Sequence, residues 1–333
     1  MKKKRVTTVI VGFVIIFAVL AFFFLKKPTP PGKVEKLRMG VYAGPVSALA
    51  YVAQQQGFFK RHGIDLTIEN YQTGRHAVED LVAGKVDVAT ASEFILAILG
   101  FKSQDLRAIG TISGTSHIEV VARKDRGIRK PDDLRGKRIG VSKGTASEFF
   151  LDAFLSFNGI RLTEIVEIPL KPAEMVAALS EGKIDAASWI PPFIDEMKRN
   201  LAHNAISWST QGGQDYYVLL ITREELIKNG PHVINGLLKG VLEAEAFLKK
   251  NEKEARSIVE RILNLDYEVV KGDWSKARFQ VRLDQDLLTL MEDEARWAIR
   301  NKLVDSTRAP NYFTFLYLEG LEKIKPGAVS VIH

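Results

Sequence analysis

Residues 78–89, VEDLVAGKVDVA, reappear as residues 176–187, VAALSEGKIDAA, 98 positions further along the chain. In each copy an apolar-spaced helix ends at a Gly-Lys pair, and an apolar-Asp-apolar-Ala strand follows directly. The glycine suits the left-handed conformation that closes such helices, which a residue with a Cβ resists. Because 98 residues is far longer than a solenoid period, the duplication predicts two similar α/β lobes that face each other across a gap.

Alternating strand and helix patterns surround both copies. This alternation predicts a mostly parallel sheet flanked by helices in each lobe, with ligands gathering at the carboxyl ends of the strands. We expect residues 37–115 and 218–333 to form the first lobe and residues 116–217 the second. The chain is then expected to cross between the lobes near residues 113–120 and 210–220.

Composition restricts the class of protein. A chain of 333 residues with 46% apolar content is long enough for about two domains with substantial cores. The net charge is +7, and six of these positive charges lie before residue 28. No basic stripe interleaved with aromatic residues follows, so we expect no nucleic-acid partner. The absence of cysteine excludes disulfides, thiolate catalysis, zinc thiolate sites and attachment through an acylated cysteine.

The amino terminus predicts a membrane segment. Twenty residues without a charge, 6–25, are long enough at 1.5 Å per residue to cross a hydrocarbon core about 30 Å thick. Four basic residues precede this segment and two follow it, which orients the amino end toward the cytoplasm and exports the rest. We favour a retained anchor in residues 1–27 over a signal peptide cleaved after Ala21, which would leave the protein free in the periplasm. Residues 28–36, rich in proline, are expected to form an extended linker.

The loop at residues 142–147, SKGTAS, is the sharpest local signal of a binding site. A glycine and hydroxyl turn at a helix start presents unpaired backbone N–H groups at the positive end of the helix dipole, where anions bind. The alternative is that Ser142, Thr145 or Ser147 only caps its own helix.

The same stretch also fits the G-x-S-x-G pattern of an α/β-hydrolase, with Ser142 as the nucleophile. Asp185 or Asp195 and His203 or His232 follow in the required order. No HGGG-like loop precedes the serine, and a hydrolase sheet does not explain the duplication. We therefore regard the serine hydrolase as a minor alternative and expect a protein that is not an enzyme.

Other chemistry-bearing motifs are sparse. The six histidines have no metal-ligand spacing, and neither a Walker loop nor a dinucleotide fingerprint is present, so no cofactor is expected. His117 stands where the chain first crosses between the lobes. Tyr42, Trp189 and Tyr216 fall at strand ends or loops near the expected gap, and each is equally consistent with ordinary packing. Glu93 follows the first repeat copy as Trp189 follows the second, so both are expected to point toward the gap.

Three stretches carry a family resemblance. Residues 42–66 resemble the opening of the nitrate, sulfonate, taurine and bicarbonate type of solute-binding proteins, a group that includes thiamine-precursor binders. Residues 123–141 resemble the family's central segment, and residues 144–148 its loop at the start of the second lobe. The resemblance implies a type II periplasmic-binding-protein fold that delivers a solute to a permease energised by a separate ATPase. One departure is the missing lipid-attachment cysteine, which gives the amino-terminal helix the role of tether.

The family pattern also implies ligand contacts on both lobes. Together with the cleft residues above, the expected ligand-binding set is Tyr42, Gly44, Pro45, Ser47, Ser92, Glu93, His117, Gly144, Thr145, Ala146, Ser147, Trp189 and Tyr216.

We therefore expect a membrane-anchored, extracytoplasmic solute-binding protein of an ABC importer that closes two lobes on a small anion similar to a sulfonate or nitrate. Its partners would be the solute, the permease with its ATPase, and the lipid bilayer through residues 6–25. The alternative from another class is a ligand-sensing accessory protein tethered by the same helix.

Overall fold

The computed structural model describes residues 34–332. Within these residues a six-stranded sheet and a five-stranded sheet are each flanked by helices. The strands are β1 (Glu35–Tyr42), β2 (Ile64–Tyr71), β3 (Val88–Ser92), β4 (Leu106–Thr115), β5 (Glu119–Arg123), β6 (Arg138–Val141), β7 (Val166–Pro169), β8 (Ala186–Trp189), β9 (Ala205–Ser209), β10 (Tyr216–Arg223), β11 (Ala277–Arg278), β12 (Leu283–Asp284) and β13 (Val329–Ser330).

Helices connect most of these strands and cover both sheets. The α-helices are α1 (Ala48–Gln55), α2 (Phe58–Arg61), α3 (Gly74–Val82), α4 (Glu93–Leu99), α5 (Ala146–Phe157), α6 (Pro172–Ser180), α7 (Phe193–Leu201), α8 (Glu224–Asn229), α9 (Pro231–Lys250), α10 (Glu252–Leu263), α11 (Tyr267–Ser275), α12 (Gln285–Arg300) and α13 (Leu318–Ile324). A short 3₁₀ turn, Pro45–Ser47, precedes α1.

The two repeat copies have the predicted local structure. Helices α3 and α6 are followed by Gly84 and Gly182, whose φ angles of +73° and +72° lie in the left-handed region that favours glycine. Strands β3 and β8 come next and take equivalent central positions, each pairing in parallel with the first strand of its sheet, β1 or β6. The duplication in the sequence is therefore a duplication of an αβ unit.

The sheets are mixed, which corrects the prediction of mostly parallel sheets. The strand orders are β11-β4-β10-β3-β1-β2 and β7-β6-β8-β5-β9. Within these two sheets, parallel pairs join only β1 with β2 and β3, and β6 with β7 and β8. The antiparallel strands β5 and β10 are the ones the chain enters directly after crossing between the sheets. Because each crossing has no helix, the chain enters the new sheet at the end where its parallel strands finish and must run against them.

The crossing segments are bonded to each other. The chain passes from β4 to β5 through residues 116–118 and returns from β9 to β10 through residues 210–215. Gln211 accepts a hydrogen bond from the backbone N–H of Ile118 at 2.8 Å and donates to the carbonyl oxygen of Thr115 at 2.8 Å. The two segments therefore form one connected hinge strip.

Each sheet is buried on both faces. In the second sheet, Val120 and Ala122 pack into one apolar cluster with α5, while Val121 packs into another with α6 and α7. This alternation follows from the two-residue period of a strand. The first sheet lies within a larger core to which α1, α4, α9 and α12 contribute.

Among residues 34–332, no helix combines the length and the apolar character needed to cross a bilayer. The predicted membrane segment, residues 6–25, lies outside the described residues, as does most of the predicted linker.

Candidate functional site

A cavity of about 420 Å³ lies between the two sheets, where the parallel strands of each sheet end. Residues from both sheets line it: Tyr42, Gln72, Thr73, Gly74, Arg75, His76, Ala91, Ser92, Phe94, Ile95, Ile118, Gly144, Thr145, Ala146, Ser147, Pro172, Trp189, Ile190, Pro191, Pro192, Phe193, Tyr216 and Val218. The position agrees with the rule that ligands bind at the carboxyl ends of strands in α/β folds.

The structure brings many of the predicted ligand-binding residues together around this cavity. Those that line it are Tyr42, Ser92, Gly144, Thr145, Ala146, Ser147, Trp189 and Tyr216. They come from both sheets and from the loops at their ends. Their role in binding stays a prediction.

The remaining predicted residues do not line the cavity. Glu93 is fully buried, and its Oε2 accepts a hydrogen bond from the backbone N–H of Tyr217 at 2.9 Å, so it does not point toward the gap. His117 is buried in the hinge strip, where its ring lies 5.9 Å from that of Tyr216. The other three, Gly44, Pro45 and Ser47, form the turn into α1, with Pro45 and Ser47 buried.

Close packing explains why these groups are diverted from the cavity. A Cβ on Gly44 would stand 2.7 Å from the ring of Tyr42, so the ring of this lining residue packs directly on the turn. Glu93 is the first residue of α4, whereas its neighbour Ser92 is the last residue of β3. Adjacent residues at such a junction point in different directions.

Two helices begin at the cavity. Thr73 caps α3 by accepting a hydrogen bond from the N–H of His76 at 3.3 Å, and Thr145 caps α5 by accepting one from the N–H of Glu148 at 3.4 Å. The N–H groups of the first two residues of each helix, Gly74 with Arg75 and Ala146 with Ser147, have no acceptor within the helix. All four residues line the cavity, so it faces the positive ends of two helix dipoles.

The prediction that the loop at 142–147 has unpaired N–H groups holds only in part, because one of these groups donates a hydrogen bond to a residue of the following helix. The backbone N–H of Gly144 donates to Oε2 of Glu148 at 2.6 Å, and Lys143 Nζ donates to Oε1 of the same carboxylate at 2.8 Å. Thr145 Oγ1 donates to the carbonyl oxygen of Ser142 at 2.7 Å. At this helix start the backbone N–H groups of Ala146 and Ser147 remain available to a ligand.

The segment Gln72–His76 is the part of the cavity lining that the sequence analysis missed. It links β2 to α3 and contributes five consecutive residues to the lining. Gly74 fits there because a Cβ would stand 2.8 Å from Cα of Ala91 in β3. The equivalent position in the second repeat unit, 98 residues beyond Gly74, is Pro172, the first residue of α6 and also part of the lining.

Arg75 is the most informative member of this segment. Its half-buried side chain lines the cavity and forms no hydrogen bond or ion pair with any residue of the described chain. Among the lining residues within 34–332 there is no aspartate or glutamate. A guanidinium without a protein partner, beside two helix starts, favours an anionic ligand.

Phenol and hydroxyl groups complete the polar part of the lining. Burial, with a smaller effect of Asp273, raises the pKa of Tyr42, and burial together with Glu93 raises the pKa of Tyr216. Both phenols therefore stay protonated and can donate hydrogen bonds. Ser147 Oγ lies 3.1 Å from Ser188 Oγ.

Two of the residues considered for a hydrolase triad, Asp185 and His232, have other partners in the described chain. Asp185 accepts hydrogen bonds from Arg138 just before β8, while Ser142 follows the other end of the parallel strand β6. His232 Nε2 lies 3.7 Å from a Glu35 oxygen at the start of β1. Within residues 34–332, no three His, Cys, Asp or Glu side chains are placed to hold a metal ion together.

Comparison with curated proteins finds several binding proteins. The chain is 23% identical over 281 residues to a putative aliphatic sulfonates-binding protein of Bacillus subtilis, covering 82% of this chain and 83% of the relative. It is 26% identical over 203 residues to the taurine-binding periplasmic protein of Escherichia coli, covering 59% of this chain and 62% of the relative.

Solved structures show the same architecture. The periplasmic aliphatic sulphonate binding protein SsuA of Escherichia coli superposes with a TM-score of 0.74 at 18% identity, covering 85% of this chain and 92% of that protein. The chain therefore has the two-lobed fold of periplasmic binding proteins. Its residues 44–255 match the family described as NMT1/THI5 like, and the chain belongs to that family.

Proposed function

We propose that this protein captures a small organic anion between its two lobes for an ABC importer, without catalysing a reaction on it. The observation that carries the proposal is the unpartnered guanidinium of Arg75 beside the starts of α3 and α5, in a cavity whose described lining has no carboxylate. The relatives named for aliphatic sulfonates and taurine support the same class of solute.

We assign residues 37–115 and 218–333 to one lobe and residues 116–217 to the other. A solute that bonds to α3 in the first lobe and to α5 in the second stabilises the closed arrangement by its differential affinity for it. The closed form is then the one that a membrane permease and its ATPase act on. The ligand contacts proposed are the predicted residues that line the cavity, together with Arg75.

The lining selects for the rest of the solute as well as for its charge. The lining also contains apolar side chains, including Ile95, Trp189 and Phe193. The described lining has no carboxylate to pair with an ammonium group, so a zwitterion such as taurine would lose hydration without compensation. A sulfonate with a short uncharged tail fits the cavity better than either taurine or nitrate.

We further propose that residues 6–25 anchor the protein in the membrane, with residues 28–36 as a linker and the lobes on the extracytoplasmic side. The twenty uncharged residues and the four basic residues before them support this arrangement.

A thermal-shift screen followed by calorimetry on residues 33–333 tests the proposed function. We expect 1-butanesulfonate to raise the melting temperature by mass action, and taurine and nitrate to raise it less. Arg75→Gln should weaken 1-butanesulfonate binding about 10- to 100-fold, because one charge-assisted interaction is lost. Arg129→Gln is the matched control, since Arg129 is exposed and does not line the cavity.

Two further variants locate the solute. Ser147→Ala and Trp189→Ala should weaken binding while leaving the melting temperature of the ligand-free protein within a few degrees of the wild-type value. Unchanged affinity in both variants, or in Arg75→Gln, would show that the solute does not bind in this cavity.

A further inference from the structure

Trp297 of α12 connects the two lobes at a point beside the cavity. It is 1% exposed, and its Nε1 donates a hydrogen bond to Oδ2 of Asp152 in α5 at 2.8 Å. Its ring makes edge contacts with Phe149 of α5 at 5.8 Å and with Phe94 of α4 at 6.0 Å. One indole therefore contacts a first-lobe helix that lines the cavity and a second-lobe helix that begins at it.

Helix α5 is divided between the two lobes. Its residues Leu151 and Leu155 pack with the core of the second sheet, as the position of α5 in the chain requires. Phe149 and Phe150 instead pack with the core of the first sheet. The helix is thus held against the first lobe by apolar contacts and by the hydrogen bond between Trp297 and Asp152.

The geometry of α5 ties this contact to the binding site. Ala146 and Ser147, whose N–H groups face the cavity, lie within two turns of Asp152 on a rigid helix. Any movement of α5 away from α12 would carry these donors away from Arg75 on the first lobe. A bond that holds Asp152 to Trp297 therefore also holds the two halves of the anion site together.

We propose, building on the capture function above, that Trp297 and Asp152 form a clasp that keeps the lobes closed whether or not a solute is bound. They are positioning residues that do not line the cavity. The clasp raises the fraction of molecules in the closed form, and the apparent affinity rises in proportion to that fraction. Affinity is thereby set partly by a contact that no solute touches.

The chain has no cysteine, so two engineered cysteines can be labelled without side reactions. Asp65→Cys in β2 and Lys183→Cys before β8 place exposed labels at the ends of the two sheets that are remote from the cavity. The distance between the labels is measured by single-molecule energy transfer on the full chain in detergent, first without solute. Trp297→Phe keeps an aromatic ring but removes the N–H donor, and Asp152→Asn weakens the acceptor.

We expect both variants to show more of the long-distance form than the wild type in the absence of solute. With 1-butanesulfonate as the probe, we expect Kd to rise about tenfold in Trp297→Phe, the equivalent of one charge-assisted hydrogen bond. Trp208→Phe, an indole whose described packing is within the second lobe, is the control that should leave the distance unchanged.

Equal distance distributions in wild type, Trp297→Phe and Asp152→Asn would overturn the clasp, because the hydrogen bond would then have no effect on the separation of the lobes. A loss of thermal stability with unchanged Kd would overturn it as well. If the wild type fails to bind 1-butanesulfonate, the proposed solute class is wrong. The distances measured without solute still test the clasp in that case. If Trp297→Phe does not fold, Asp152→Asn alone gives the decision.

Discussion

Several buried carboxyl groups lie near the two lining phenols, Glu93 and Glu294 near Tyr216 and Asp273 near Tyr42. Burial raises the pKa of Glu93 and of Glu294 well above the ordinary value, and each is affected by a neighbouring acid. Asp273 in α11 is also buried, and burial together with Asp195 of α7 raises its pKa to about 7, against a smaller opposing effect of Lys276. These carboxyl groups therefore hold protons that an exposed acid would release.

Asp273 makes a specific contribution to the pH dependence of stability. Its folded pKa of about 7 lies above the unfolded value near 4, so the folded state binds the proton more tightly. The stabilisation is complete below about pH 4 and is lost as the pH rises toward 7. We expect Asp273→Asn, which stays neutral, to be more stable than the wild type at pH 8.5, by up to about 4 kcal/mol.

Urea unfolding of both proteins at pH 5 and pH 8.5 measures this difference. The control is Asp65→Asn, which alters an exposed carboxyl group in β2. The difference in unfolding free energy between the two proteins should change between pH 5 and pH 8.5. An unchanged difference would contradict the raised pKa.

At the scale of elements, the duplicated Gly-Lys helix endings serve the fold and not the binding site. Gly84 and Gly182 end α3 and α6 in the left-handed region and lie before β3 and β8, remote from the cavity. Around Gly84 there is space for a methyl group, since the nearest other atom to a Cβ would be Arg223 Nη1 at 3.9 Å. Glycine is therefore needed at position 84 for its backbone conformation and not for lack of space.

We expect Gly84→Ala to lower the free energy of unfolding by about 1–2 kcal/mol, because an L-residue is strained at this φ. Gly272, in the interior of α11, also has nothing within 4 Å of a Cβ but does not have a positive φ. Gly272→Ala should therefore raise stability by about 0.5–1 kcal/mol. Denaturant unfolding of both variants checks the pair, and changes of the same sign would refute the conformational explanation.

At the scale of the whole molecule, charges join the lobes on the hinge side. Glu119, at the start of β5, binds Lys198 of the second lobe at 2.5 Å and Lys276 of the first at 2.6 Å. Burial opposes its ionisation, but the two ammonium groups outweigh that effect and hold the pKa of Glu119 below its usual range. His117 lies two residues away, and burial, with Lys276, lowers its pKa to about 4, so it is neutral at physiological pH.

The proposed tether makes a prediction about the entire chain. Expressed from residue 1, the protein should sediment with membranes and be released by detergent but not by high salt or alkaline carbonate, because its attachment is apolar. A chain beginning at Pro28 should remain in the soluble fraction. An amino terminus at Phe22 in the mature protein would instead establish cleavage after Ala21 and remove the anchor.

The sequence predicts the helix α6 and the strand β8 well, but it identifies the cavity only in part. The repeat is visible from Val78 onward because both copies need apolar side chains there to cover a sheet. The repeat is not visible at the helix starts, where Gly74 in the first copy aligns with Pro172 in the second. Both residues line the cavity, so packing against a sheet does not require the same side chain in the two copies. Arg75 is hidden for the same reason.

The sequence by itself determines two α/β units, because helix periodicity, strand alternation and a left-handed glycine are local properties of neighbouring residues. Only the tertiary structure decides which polar groups face the cavity. Ser92 lines the cavity, whereas the carboxylate of Glu93 accepts a hydrogen bond from the backbone N–H of Tyr217, 124 residues further along the chain. Such a pairing depends on how distant strands meet, and a buried carboxyl group must find a hydrogen-bond donor wherever the fold brings one.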